Sequence, residues 1–384
     1  MVSLSRCCLP VSRKKGFSIL THLLIPTGPS QLEWIGDAAY LFLEDEQSLS
    51  VLNAEAAQAW PQFQTGVLCK DDTPCDASIC TPSVVASLKS IGAIEPLSSQ
   101  EGAVPIKETL LVDTGVSKVL IGFDSNVPDS VMAAFSHMAI PAGTACDAYV
   151  LVQRLSDQAR IASQGEPPVT VGDDMLVPQL KLTITEAILD HADQLLLHAA
   201  VAVHDSGYAM LLVGGPGAGK STLATALDTA GFTLAGDDIA VLKNDGSVFA
   251  IPFPSTLKTG AWELLDAKQD EISEADTHLR PDGQYVRYLA VDTETALTPR
   301  PVGWIVFLDR QSVESPTFSP QPVPQTISGL ISQAWSGTSN LTTEEFGALA
   351  ACVNDASCFQ LRYSNLTMAA AALRNFCTEP VRDI

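Results

Sequence analysis

The sequence predicts an α/β fold in two domains, and three observations carry that expectation. An apolar run at 209–213 breaks into the glycine loop "GGPGAGKST" at 214–222 and passes directly into a helical pattern. Segments of alternating apolar residues precede it, as half-buried strands do. A polar stretch containing Gly and Pro, "LSSQEGAVP" at 97–105, separates them from the start of the chain. The boundary is placed there, with residues 1–100 as a small α+β domain and 101–384 as the larger one. The larger domain divides into a β-rich leading part, 101–190, and a core, 191–384.

In the small domain, "AAYLFLEDEQSLSVLNAEAAQAW" reads as two short strands around an acidic turn, followed by a helix. Asn53 stands at that helix start as an N-cap, a residue whose side-chain oxygen can accept a first-turn N–H. "TPSVVASLKSIGAIEPL" gives a second helix, stopped by Gly92, and a closing strand. The order is winged-helix-like, but without a lysine-rich recognition helix. After the linker, "KETLLVDTGVSKVLIGFD" and "DAYVLVQRL" alternate as strands, and "MLVPQLKLTITEAILDHADQ" has apolar residues at helical spacing. "LLLHAAVAVHDSGYAMLLVGG" reads as a hairpin turning at Asp205-Ser206-Gly207, with His198 in its first strand.

Gly214-x-x-x-x-Gly219-Lys220-Ser221 fits the P-loop pattern. Across Gly214, Gly215, Pro216, Gly217, Ala218 and Gly219 the near absence of side chains lets main-chain N–H groups turn inward onto phosphate oxygens. Lys220 adds a point charge for the terminal phosphates. The Ser221 hydroxyl is placed for Mg²⁺, and Thr222 continues the helix whose unpaired N–H groups face the anion. That helix is expected to run from Ser221 to the glycine at 231. At about 1.5 Å per helical residue and about 3.3 Å per strand residue, "FTLAG" then brings the chain back to the level of the loop. Asp237 and Asp238 follow it, two carboxylates beside a triphosphate. One can hold a cation while the other takes the proton from an attacking hydroxyl.

The 384 residues carry a formal charge of −22, which repels nucleic acid and anionic membranes. No apolar run reaches the ~18 residues of a membrane span. Residues 1–20 run the other way, with Arg6, Arg13, Lys14 and Lys15 and no acid. They lack a small-residue cleavage site and read as a tail leading into a first strand. The nine cysteines are scattered without paired metal-ligand spacing, the pattern of idle thiols in a reducing cytoplasm.

From His198 through Asp238 the chain resembles the catalytic core of HPr kinase/phosphorylase, and more closely the HPr kinase-related proteins of ribosomal-peptide biosynthesis clusters. "IPFPSTLKTGAWELL" and "CFQLRYSNLTMAAAALRNF" are similar to the related proteins too. The resemblance covers roughly 105–376 and is specific around 195–242. It implies the P-loop kinase fold shared with phosphoenolpyruvate carboxykinase, with ATP and Mg²⁺ as cofactors. It implies further that Asp237 deprotonates a serine hydroxyl, that Asp238 with Ser221 holds Mg²⁺, and that His198 stands near the phosphates. The family's Glu-Ile-Arg-Gly stretch is missing, and Lys258 with Arg280 or Arg287 is expected to supply positive charge on the substrate side instead. The small domain is similar to PqqD-like peptide chaperones, resting on Asn53, Trp60 and a few apolar positions.

The resulting expectation is an ATP-dependent serine kinase acting on a precursor peptide or small protein, as a possible homo-oligomer. A kinase for a small-molecule alcohol and a non-catalytic, nucleotide-gated peptide carrier remain the alternatives.

Overall fold

A computed structural model describes residues 21–377, apart from positions 28–29, 45, 65–66, 71, 75–76, 97, 100–101, 104–105, 142–143, 145, 164–167, 229 and 337–339. The basic tail, 1–20, lies outside the described residues, as does much of the 97–105 linker. The chain is mixed α/β and forms two compact units. The first comprises Met1–Val112, Lys118–Pro128 and Ile140–Asp173; the second comprises Asp113–Ser117, Asp129–Ala139 and Asp174–Ile384.

In the first unit, strands Ser30–Ile35, Ala38–Leu43 and Ser48–Leu52 form an antiparallel meander. Helix Ala54–Gln64 begins as its cap predicts, with Asn53 Oδ1 accepting the Ala56 N–H at 2.8 Å. Helix Pro82–Ser90 ends before Gly92, whose φ of +71° favours glycine. Trp60, Phe63, Leu41 and Leu88 close the core between the helices and the strands. A second sheet orders Glu108–Asp113, Lys118–Phe123, Ala148–Leu155, Gln158–Ser163 and Val169–Gly172.

The second unit is built on a six-stranded sheet in the order Phe232–Gly236, Ala200–His204, Ala209–Val213, Val302–Arg310, Ser357–Tyr363, Thr317–Pro320. The hairpin strands are antiparallel, as Asp205-Ser206-Gly207 predicts, and Gly207 takes a φ of +87° in their turn. On its other side Ala209–Val213 runs parallel to Val302–Arg310, which runs parallel to Ser357–Tyr363. Phe232–Gly236 is antiparallel to Ala200–His204, so it points the same way as those three. Four carboxyl ends therefore share one sheet edge. Buried side chains cover both faces: Val201, Leu211, Val213 and Ile305 on one, Ala202, Leu212, Trp304 and Val306 on the other.

Two local expectations are corrected. His198 is not inside a hairpin strand. Leu195–Leu197 belongs to a separate antiparallel sheet, between Ala240–Leu242 and Ala334–Trp335, and Ala200–His204 to the six-stranded one. The chain breaks at 198–199, where the Ala199 N–H donates to Leu197 O and the His198 N–H to Gln333 O, each at 2.8 Å. The helix after the loop, Lys220–Leu227, also stops earlier than expected. Asp228 Oδ1 instead accepts the Leu234 N–H of the next strand at 2.9 Å, and Oδ2 pairs with Lys268 at 3.0 Å.

Candidate active site

Gly214–Gly219 lies between the carboxyl end of Ala209–Val213 and the amino end of Lys220–Leu227. Its glycines are required by space as well as by conformation. A Cβ on Gly214 would come within 2.9 Å of that of Ala218, and one on Gly219 would run into the Tyr363 hydroxyl. Gly217 and Gly219 have φ of +81° and +98°. Tyr363, at the end of a parallel strand, donates its O–H to Ala218 O at 3.0 Å and so fixes the loop from outside. Lys220 turns back over the loop, and its Nζ donates to Gly214 O at 2.7 Å. Burial lowers its pKa, an effect opposed by the charges of Asp238 and Asp237.

Gly217→Ala and Gly219→Ala separate the two constraints. Only strain opposes the first, since nothing lies within 4 Å of its Cβ position, whereas the second adds the Tyr363 contact. Each is expected to cost about 1–3 kcal/mol in stability for its backbone conformation. Gly219→Ala should lose more in thermal melts and in binding of inorganic tripolyphosphate; equal losses would show that Tyr363 yields freely.

Asp237 and Asp238 follow Phe232–Gly236 and reach the loop's edge of the sheet. Their surroundings differ. Asp237 is buried; its Oδ2 accepts the Thr256 N–H at 2.9 Å, and its Oδ1 is enclosed without a hydrogen-bond partner. Burial raises its proton affinity above the ordinary carboxylate value, against the pull of Lys181 and a hydrogen bond from Ser221. Asp238 is 34% exposed and sits between two bases, with Oδ2 3.2 Å from Lys181 Nζ and Oδ1 3.3 Å from His198 Nδ1. Burial alone would raise it too, but Lys181 and His198 win and hold it ionised. Two adjacent carboxylates pushed apart in this way are suited to separate tasks, one taking a proton and one keeping its charge.

Lys181 is the site residue that sequence reasoning missed. It projects from helix Leu176–His191, is buried, donates to Thr256 Oγ1 at 2.9 Å, and lies 5.2 Å from the Phe253 ring centre. It thereby ties Thr256, whose N–H holds Asp237, to the carboxylate of Asp238. A signal was present: Lys181 lies on the stripe formed by Val177, Ile184 and Ile188, where a lone cation must find a buried partner.

The remaining candidates divide. His198 is brought to Asp238, and at 48% it stands open where its chain neighbours Leu197, Ala199 and Ala200 are buried. Lys258 is near enough to Lys220 for its charge to lower that lysine's pKa. Arg280 is near enough for its charge to act on the half-buried Tyr288 phenol beside Lys181, and it pairs with Asp282 at 3.5 Å. Arg287 is occupied elsewhere, 4.3 Å over the Trp262 ring and donating to Ile272 O at 2.6 Å.

These residues fit a magnesium-bound triphosphate. The loop is a cradle that side chains would fill, Lys220 stands on a main-chain acceptor that a phosphate oxygen can replace, and Asp237, whose Oδ1 is enclosed without a partner, is near enough for its charge to act on Lys220. Ser221 and Asp238 are the residues that would hold the ion, and the ion would offset phosphate charge.

No family model and no curated protein matches the chain. Among solved structures, the Hpr(Ser) kinase/phosphatase from Coxiella burnetii aligns with 47% of this chain and 95% of its own, at 15% identity and a TM-score of 0.23. A likeness that slight carries no argument about this chain. Among the described residues, no helix is long and apolar enough to cross a membrane.

Proposed function

We propose that this chain is an ATP-dependent kinase that phosphorylates a serine hydroxyl on a peptide or small protein. The observation that carries the reading is the buried, proton-seeking Asp237 beside a loop shaped for phosphates. Asp237 takes the proton of the incoming hydroxyl as its oxygen attacks the γ-phosphorus. The bond from that phosphorus to the β–γ bridging oxygen breaks, and ADP leaves. Lys220 and the loop N–H groups stabilise the charge that accumulates on the phosphates, an electrostatic contribution fixed in place before the reaction. Asp238 stays charged, and His198 and Lys181 hold its orientation.

A polypeptide acceptor is supported by the first unit. Ile35, Tyr40, Phe42, Leu49 and Val51 share one face of the three-stranded meander, where Phe42 pairs with Leu49 and Tyr40 with Val51. Ile35, Leu49 and Val51 are exposed there, and the two outer strands leave ladder edges to which an extended peptide can add. A precursor peptide from ribosomal-peptide biosynthesis is the acceptor that fits such a surface.

The test is mass spectrometry after incubation of the full chain with Mg·ATP and serine-containing peptides, with free serine and glycerol alongside. A gain of one phosphate on a peptide serine is expected. Phosphorylation of the small alcohols alone would redirect the reading to a small-molecule kinase. Nucleotide binding with no transfer to any of them would leave a carrier.

A further inference from the structure

One face of the three-stranded meander carries two cross-strand rows, Glu33–Tyr40–Val51 and Gln31–Phe42–Leu49. Leu49 and Val51 are 64% and 65% exposed there, and Ile35, on the same face, is 66% exposed. Contiguous apolar surface of this kind marks an interaction site. Its rim is acidic. Glu33 stands on the face itself, Asp37 in the turn at one end, and Glu44 and Glu46 in the turn at the other, all of them exposed. From 27 to 69 the sequence has acids at 33, 37, 44, 45, 46 and 55 and no Lys or Arg. A segment that suits this surface is both apolar and basic.

The chain itself supplies such a segment. Residues 1–20 contain Arg6, Arg13, Lys14 and Lys15 and no acid. Within them Leu9, Val11, Arg13, Lys15, Phe17 and Ile19 fall on alternate positions, so an extended backbone brings all six to one side. We propose that residues 9–19 add to an outer edge of the meander, their apolar side chains over its apolar face and their cations against its acidic rim. The tail then covers the surface until an acceptor peptide displaces it. This inference rests on the meander as a surface for an extended peptide and names an occupant within the chain.

Reach permits this placement. Ser30 follows Thr21 by nine residues, so about 32 Å at most separates them, at about 3.3–3.6 Å per residue. Residues 9–20 span about 40 Å on the same measure, and both segments belong to the first unit. Charge selects the tail over other occupants. A second copy meeting this face with its own would set Glu33, Asp37, Glu44 and Glu46 against the same four carboxylates, and an anionic membrane is repelled as well. Attachment strengthens the contact. A site with a Kd of about 0.1 mM is occupied about tenfold over empty when a short tether holds its ligand at an effective concentration of about 1 mM.

The experiment is amide hydrogen exchange, read by mass spectrometry on the full chain in four forms. These are wild type, a tail variant (Arg13→Glu, Lys14→Glu, Lys15→Glu), a meander variant (Glu33→Lys, Glu44→Lys, Glu46→Lys), and the two combined. Circular dichroism and thermal melts check that each form folds. In at least one outer strand, Ser30–Ile35 or Ser48–Leu52, exchange is expected to be about tenfold faster in either single variant than in wild type. The combination, with its charges exchanged, should return toward the wild-type rate. Unchanged exchange in the tail variant would overturn the inference. Faster exchange in both variants without recovery in the combination would also overturn it, since paired charge would not be what holds the segment. Wild-type protection that grows with protein concentration would overturn it in favour of a second copy. Phosphorylation of a serine peptide by the tail variant is measured alongside. Transfer without docking leaves the kinase reading standing, and docking without transfer leaves this inference standing.

Discussion

Asp237→Asn is expected to leave Mg·ATP affinity within about threefold of wild type and to lower phosphoryl transfer by about 10²–10⁴-fold, the range for losing a positioned base. Asparagine keeps the size and can still accept the Thr256 N–H, so the fold around Oδ2 survives. The proton of the acceptor hydroxyl then has nowhere to go. The pH profile gives an independent reading. Burial raises the pKa of Asp237, so its acidic limb should lie above the ordinary carboxylate value of ~3.9. Transfer falls as pH drops through that limb, because the base becomes protonated. In Asp237→Asn the limb should vanish; an unchanged rate and limb would remove Asp237 from the chemistry.

Lys181→Met should have the second largest effect, on stability and activity together. Removing one partner of a buried pair costs about 3–5 kcal/mol; the lower end applies here because Asp238 is partly open to water. The sign with pH is definite. The folded pKa of Asp238 is depressed, so its stabilisation is full above the unfolded value of ~3.9 and is lost as pH falls toward the folded one. Without Lys181 both carboxylates bind protons more readily in the folded state. The deficit of the variant is therefore greatest near neutral pH and narrows in acid. Chemical denaturation at pH 7 and at pH 5 measures it. A second change, Asp238→Asn, should restore part of the loss in the Lys181→Met background; strict additivity of the two would show that the residues act separately.

The parts of the site that were legible in the sequence are those that local chemistry dictates. Glycines at 217 and 219 announce backbone that side chains resist, period-two apolar runs announce strands, and the strand length after the loop puts Asp237 and Asp238 at its level. What was not legible arrives from a distance. Lys181 comes from a helix that precedes the loop, while Tyr363 comes from a strand far downstream. Their meeting depends on the order in which strands pair, which no local pattern encodes. His198 shows a finer failure. The run "LLLHAAVAVH" has strand composition throughout, and only the Gln333 carbonyl and a tight turn reveal that it serves two sheets.

That divided run sets what the position can tolerate. The bend at 198–199 is secured by main-chain groups, while the half-exposed imidazole turns to Asp238 Oδ1 at 3.3 Å, so the backbone there does not depend on the side chain. A residue so placed can be exchanged with little effect on the core. Variation at this position would therefore act on the neighbouring carboxylate rather than on the core.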